Sequence, residues 1–151
     1  MAIYKPNLLD KFKDFVNGLR GNADILESHL AGNASYGLVV TRGISQTGVQ
    51  TIALPFTAKS IICFAFISGT NVFSNGFWAE NDVQRVVSRR HDNLMIGKNN
   101  AIIHLPISAA AETTGSVQNV TDSGFEINWS NTGSPTGTAT LYILVSTRGE
   151  G

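Results

Sequence analysis

From Tyr36 to Ser146, short apolar stretches alternate with clusters of glycine, serine, asparagine and threonine, and this alternation constrains the fold most. The stretches are rich in β-branched and aromatic residues, which favour strands, while the clusters are typical of turns. About eight such strands predict a mainly β chain built as an antiparallel β-sandwich. The predicted strands are Tyr36–Thr41, Val49–Leu54, Ser60–Ile67, Val83–Ser88, Ala101–Leu105, Ser116–Val120, Gly124–Trp129 and Thr138–Ser146.

Two of these strands carry apolar residues at almost every position. Phe125–Trp129 alternates apolar with polar residues, as a strand with one face in water does. Ile61–Ile67 and Leu141–Val145 do not alternate in this way. Because neighbouring side chains of a strand point to opposite faces, we expect both faces of these two strands to be covered.

The chain before Gly32 has the period of a helix rather than of a strand. Asn7 is a suitable helix cap, and Asp10 suits the first turn. With Leu9 at heptad position a, every a and d position of the predicted helix is apolar, and Leu8 and Phe15 widen the stripe. The a and d residues are Leu9, Phe12, Val16, Leu19, Ala23, Leu26 and Leu30.

This predicted helix needs a partner, because an isolated helix of its length is marginal in water. The partner is either the β domain of the same chain or the same helix from other copies. The regular heptad favours the second, and the wide stripe favours three or more helices. Gly18 and Gly21 leave two alternatives open: one continuous or kinked helix, or a hairpin of helix 7–18 and a second helix that begins after Asn22. The predicted organisation is an oligomerisation and anchoring segment over residues 1–32 and a β-sandwich head over residues 33–151.

Composition argues against several classes of partner. Only 15% of the residues are charged, against about 25% in typical domains, and 11 basic residues balance 11 acidic ones. No basic field favours nucleic acid. No apolar run approaches the roughly 20 residues of a membrane-spanning helix, and the first residues do not resemble a secretion signal. We therefore expect no nucleic-acid partner, no membrane insertion, and assembly in a cytoplasm. The single cysteine, Cys63, lies in an apolar run that predicts a buried thiol.

The sequence contains few residues arranged for catalysis. His29, His91 and His104 have no cysteine or second histidine at ligand spacing, so we expect no zinc site, other metal site or cofactor. His91 and Asp92 are adjacent in an extended segment and point apart, which argues against a shared catalytic role. We predict a protein that is not an enzyme, and we interpret residues 88–93 as a solvated strand end or as contacts to a ligand or neighbouring subunit.

One aromatic residue suggests a binding site. Trp78 stands near the polar residues Asn81 and Asp82, and sugar binding requires a flat apolar ring with hydrogen-bonding groups beside it. Arg89 and His91 complete the candidate ligand-binding set. The alternative is that Trp78 closes the end of the sandwich.

Two segments resemble known families. Val49–Phe66, with Leu-Pro-Phe-Thr-Ala-Lys-Ser-Ile-Ile leading into an apolar strand, resembles a strand pair of small β-sandwich domains in bacteriophage and prophage virion proteins. Ser116–Trp129, with Val-Thr-Asp-Ser-Gly-Phe-Glu-Ile-Asn-Trp, followed by Ala139–Val145, resembles the closing hairpin of those domains and of the H-type lectins. The H-type lectins are trimeric sandwiches that bind N-acetylgalactosamine-like sugars.

These resemblances imply a structural protein of the virion. The expected function is that of a homotrimeric fibre, spike or capsid decoration subunit of a tailed phage. Its coiled-coil segment would anchor it to other capsid or tail proteins, and its head would face solvent. The alternative function is a lectin-like carbohydrate-binding module that recognises glycans on the host surface.

Overall fold

The computed structural model describes residues 35–147, which form ten antiparallel strands in two sheets. The boundary between the two units of the chain lies between Ala34 and Ser35. The predicted helix and its heptad residues Leu9, Phe12, Val16, Leu19, Ala23, Leu26 and Leu30 lie outside the described residues. The strands are β1 (Ser35–Gly43), β2 (Gly48–Ala53), β3 (Ser60–Ile67), β4 (Phe73–Ala79), β5 (Val83–Arg89), β6 (Met95–Asn99), β7 (Ile103–Pro106), β8 (Glu112–Thr121), β9 (Gly124–Thr132) and β10 (Thr138–Ser146).

The two sheets differ in width. One has six strands in the order β1-β10-β3-β4-β5-β6, and the other has four in the order β2-β9-β8-β7. In the wider sheet β10 lies between β1 and β3, so that Leu141 stands opposite Val40 on one side and Ala65 on the other. The mainly β prediction is confirmed, and β3 and β10 have the predicted bounds.

The core lies between the inner faces of the sheets. Alternate residues of each strand point inward, as the pattern of buried and exposed positions along β5 illustrates. The largest buried side chains, Trp129 and Phe125, come from β9 and pack with residues of both sheets. The indole Nε1 of Trp129 donates to Gln50 Oε1 at 3.0 Å, and the guanidinium of Arg42 lies 5.0 Å from its ring centroid. The cluster therefore joins the two sheets through one continuous core.

Two strands were missed by the sequence prediction, which gave about eight. β4 contains Ser74-Asn75-Gly76, a triplet that reads as a turn but continues as strand. A Cβ atom on Gly76 would lie 2.0 Å from the backbone oxygen of Ile102, so glycine is required by the close approach of another segment. β6, with the sequence Met-Ile-Gly-Lys-Asn, is short and carries little apolar signal.

Candidate functional site

The outer face of the six-stranded sheet is unusually apolar. Opposite residues of antiparallel strands point to the same side, and the register places rows of apolar side chains across β1, β10, β3, β4, β5 and β6. The most exposed of these residues, here called the apolar face, are each between 40% and 65% exposed. They are Val39, Ile62, Phe64, Phe77, Val87, Met95, Tyr142 and Leu144.

Aromatic rings stand at the centre of this surface. Phe64 stacks on Phe73 with centroids 6.0 Å apart, and Phe66 stacks on Tyr142 at 6.0 Å. The ring centroids of Phe64 and Phe66 are also only 6.1 Å apart. The rings come from β3, β4 and β10, so they form a cross-strand cluster that fixes one another's orientation.

Two depressions flank the aromatic cluster. One, of about 510 Å³, is lined by Ile62, Asn75, Phe77 and Val87 together with neighbouring backbone. The other, of about 380 Å³, lies where Gly37 leaves open space, and Val39 and Tyr142 also line it. The face thus combines raised side chains with hollows, a relief that suits interdigitation with another protein surface better than contact with bulk water.

Few polar groups interrupt the face. Asn75 lies in the row of Phe64, and Arg85 and Arg89 project from β5. No carboxylate belongs to the outward-facing positions of the six described strands. The surface is therefore apolar in its centre and weakly positive along β5.

Trp78, the aromatic residue predicted to contact a sugar, belongs to the core. It points to the inner side of β4 and is 5% exposed. Its Nε1 donates to Asp82 Oδ1 at 3.2 Å. At least one face of a sugar-binding ring must be accessible to the sugar, whereas this indole is packed inside the sandwich. Its neighbour Phe77, which points outward and is 44% exposed, is the accessible ring of this strand.

The other predicted ligand residues divide between two places. Asn81 and Asp82 form the turn between β4 and β5, while Arg89 ends β5 and His91 follows it. β5 runs over seven residues, so its ends lie about 20 Å apart. One small ligand does not reach both clusters.

The cluster after β5 is bonded within itself. Arg89 Nε donates to Asn93 Oδ1 at 3.0 Å. Arg90 donates to both carboxylate oxygens of Asp92, at 3.0 and 2.6 Å, and this hydrogen bonding lowers the pKa of Asp92 to about 2. These contacts join residues that are two to four positions apart, as in an exposed turn. They agree with the interpretation of residues 88–93 as a solvated strand end.

A second polar cluster, which the sequence reasoning did not identify, lies between the sheets. Ser88 from β5 and His104 from β7 are fully buried, and Ser88 Oγ lies 2.7 Å from His104 Nδ1. His104 Nε2 lies 2.9 Å from Glu112 Oε2, and Glu112 is also bonded to Lys98 of β6. The four side chains, two from each sheet, are here called the buried clamp.

The hydrogen positions in the buried clamp follow from its acceptors. The ionised carboxylate of Glu112 only accepts, so Nε2 of His104 carries a hydrogen and Nδ1 accepts from the Ser88 hydroxyl. Burial lowers the pKa of His104, outweighing the hydrogen bond to Glu112 that raises it, and the charge of Lys98 lowers it further. His104 is thus held in its neutral form.

This arrangement contains a serine, a histidine and a carboxylate but is closed to substrates. Ser88 and His104 are 0% exposed, whereas a nucleophilic serine has to reach the carbonyl that it attacks. The chemistry available to the buried clamp is hydrogen bonding between the two sheets. No group of metal-ligating side chains of the kind that holds an ion occurs in residues 35–147.

Gln84 forms another connection between the sheets. Its Nε2 donates to the backbone oxygen of Val117 at 3.0 Å, and its Oε1 accepts from the Val117 N–H at 2.8 Å. Nε2 also donates to Asp82 Oδ1 at 3.2 Å. The side-chain amide therefore makes both backbone contacts that a neighbouring strand would make.

No protein-family model matches this chain, and no curated protein matches it in sequence. Residues 35–147 contain no helix long and apolar enough to cross a membrane. The lack of alternation in β3 and β10 predicted that both faces of these strands would be covered, but residues 35–147 leave the outer face exposed. The outward residues Ile62, Phe64, Tyr142 and Leu144 are the ones that interrupt the expected alternation.

Proposed function

We propose that the chain is a non-enzymatic structural subunit of a tailed-bacteriophage virion: a homotrimeric fibre, spike or decoration protein with a β-sandwich head. The observation that carries this proposal is the apolar face. Single exposed apolar residues are ordinary, whereas a contiguous apolar surface on one sheet is typical of a contact with another protein. An assembly subunit supplies that contact without needing any catalytic group.

Two further points support an assembly role. The resemblance of Val49–Phe66 and Ser116–Trp129 to virion sandwich domains gives the class of assembly. The heptad Leu9 to Leu30 predicts that copies associate outside the head, and a trimer satisfies its wide apolar stripe. Capsid or tail proteins are the further partners expected for the anchoring segment, and the virion is the expected location.

The virion proposal is tested on purified phage particles from the source culture. An antibody raised against the head should detect the chain in the density-gradient fraction that contains particles, in a fixed ratio to the major capsid protein. The same antibody on particle-free fractions is the control. Recovery of the chain only in the particle-free fractions would overturn the proposal.

The trimer is tested separately in solution. Sedimentation equilibrium of the full chain should give three times the 16.2 kDa chain mass. Leu19→Asp places a charge at a d position and should yield monomers whose circular dichroism still shows strands. A monomeric wild-type chain would contradict the trimer, as would a Leu19→Asp chain that remains trimeric.

Carbohydrate binding is the second candidate, and one observation favours it. Phe77 presents an exposed ring beside a depression that Asn75 also lines, and Arg85 stands opposite Phe77 on β5. A ring with hydrogen-bonding groups beside it suits a sugar. The polar groups are few and include no carboxylate acceptor, which makes the protein contact the stronger proposal.

A glycan array with the full chain tests this candidate. Binding that falls at least tenfold in Phe77→Ala, with no loss in the matched aromatic variant Phe73→Ala, would support a sugar site beside β4. Absence of binding to every glycan, or equal binding by the Phe77→Ala chain, would remove it.

A further inference from the structure

The apolar face is large enough to be one side of a stable protein interface. From the exposed fractions of its members, it leaves roughly 700 Å² of apolar side chain in water, above the ~300–600 Å² of the largest patch on a typical monomer. A standard interface buries about 800 Å² on each partner. Nothing among residues 35–147 covers this surface.

The residues around the face point to a surface of similar character as its partner. The outward positions include no carboxylate, so a basic partner would gain no ion pairs with them. An acidic partner could pair only with Arg85 and Arg89 on β5, to one side of the aromatic cluster. The ring of Phe64 stacks on Phe73 and that of Tyr142 on Phe66, and Phe64 and Tyr142 both line the depression beside Gly37. A second copy of this face offers both the rings and the hollows.

We propose that copies of this chain pack their heads together through the apolar face, which lines the inside of the trimer. This inference rests on the homotrimer of the proposed function. The predicted association of residues 9–30 would hold the heads at a high effective concentration, so that even a modest head contact would be populated. The face would then be covered, as the continuous apolar sequences of β3 and β10 predict.

The positions of the two arginines indicate how the copies meet. Arg85 and Arg89 both lie on β5, toward one edge of the sheet, whereas Tyr142 lies on β10, toward the other. A threefold axis makes heterologous contacts, in which one edge of a copy meets the other edge of the next. The guanidinium groups then approach the Tyr142 ring of a neighbour, a favourable cation–π arrangement, instead of one another.

Cysteine labelling of the full chain tests this proposal directly. Ile62→Cys places a thiol in the middle of the face, and Val49→Cys places one at a 53% exposed position of the four-stranded sheet as the matched control. Cys63 stays silent because it is 1% exposed and burial raises the pKa of its thiol to about 12. Maleimide labelling rate and sedimentation mass are measured on the same sample, with circular dichroism to confirm the fold.

The expected result is protection that depends on the oligomer. In the trimer, the thiol of Ile62→Cys should react about tenfold or more slowly than that of Val49→Cys. In the Leu19→Asp background, where the chain is dispersed, the two thiols should react at similar rates.

Three results would overturn the inference. If Ile62→Cys reacts as fast as Val49→Cys in a trimer, the heads do not meet through the apolar face. The homotrimer of the proposed function is then retained, but not this head contact. If the dispersed, monomeric chain labels Ile62→Cys as slowly as the trimer does, residues of the same chain cover the face. A wild-type chain of monomer mass refutes the homotrimer itself, so the two failures are separated by the mass measurement.

Discussion

The two faces of the six-stranded sheet are both apolar, yet they have different surroundings. On β10, Leu141 and Ile143 point inward and are at most 2% exposed, while Tyr142 and Leu144 point outward and are about half exposed. Only the inner face is covered by the four-stranded sheet. Residue type therefore does not by itself distinguish the buried face of a sheet from an exposed one, because both faces here consist of the same kinds of side chain.

The outer face of the four-stranded sheet gives the contrasting case. Most of its outward residues are polar, as in the pairs Ser116 opposite Asn128 and Gln118 opposite Glu126, with Val49 as an exposed apolar exception. Gln118 Nε2 donates to Glu126 Oε2 at 3.0 Å, and Asn119 Nδ2 donates to the same oxygen at 2.6 Å. This sheet has the wet face that an ordinary sandwich has on both sides, so the apolar face is a particular property of the wider sheet.

The largest difference between the two faces of that sheet is expected from one substitution made on each side of β10. Leu141→Ala empties space in the core and should lower the free energy of unfolding by about 2–5 kcal/mol. Leu144→Ala removes a half-exposed side chain and should cost less than about 1 kcal/mol in a dispersed chain. Urea denaturation of both variants in the Leu19→Asp background measures the two costs. Equal losses would contradict the assignment of Leu144 to a face that residues 35–147 leave uncovered.

A smaller effect is expected from glycines on the two sides of the sheet. Gly76→Ala would put a Cβ atom 2.0 Å from the Ile102 oxygen on the inner side, and the required shift should cost about 1–3 kcal/mol. Gly97→Ala on the outer side meets nothing within 4 Å, so its effect should stay within about 0.5 kcal/mol. Thermal unfolding of the two variants gives the comparison. A harmless Gly76→Ala would refute the close approach of Ile102 to β4.

The smallest effect is expected from acid, acting on the buried clamp of the inner face. The pKa of His104 in the folded chain lies below its usual value, so the unfolded chain binds more protons and stability falls as pH drops below about 6.5. Burial raises the pKa of Glu112, but the hydrogen bonds and charges of Lys98 and His104 together outweigh it and leave the pKa below its usual value. A further loss of stability should therefore follow below about pH 4.5.

Urea midpoints between about pH 7.5 and 5.5 measure the histidine contribution. His104→Gln, which keeps a polar side chain in the clamp, should show a smaller fall over this range than the wild type. An identical fall in both chains would assign the pH dependence to other groups.

Much of the fold could be predicted from the sequence, because β-branched runs and turn clusters are local signals. The bounds of β3 and β10 follow from their uninterrupted apolar composition. β4 could not be predicted, since Asn75 and Gly76 favour a turn locally, and only the tertiary approach of Ile102 explains the glycine. β6 has too few apolar residues to be distinguished from a loop.

The candidate site was predictable only in part. The unbroken apolar runs of β3 and β10 indicated this surface, but they predicted that it would be covered, whereas residues 35–147 leave it exposed. Strand pairing is required to show that Phe77 and Val87 extend the same surface. Whether Trp78 or Phe77 is the accessible ring depends on which of the two points outward from β4. A shift of one position along a strand moves a side chain to the opposite face. The buried clamp joins residues 88 and 104 across two sheets, a contact that no local pattern indicates.

The contact between Gln84 and Val117 protects a stretch of strand edge. Beside Val117, β8 extends beyond its neighbour β7, whose pairing with it begins at Ile103 opposite Gly115. A free strand edge is a template on which further chains can add. The Gln84 amide occupies both backbone groups of Val117, so one side chain of the same chain takes the place that an added strand would need at this position.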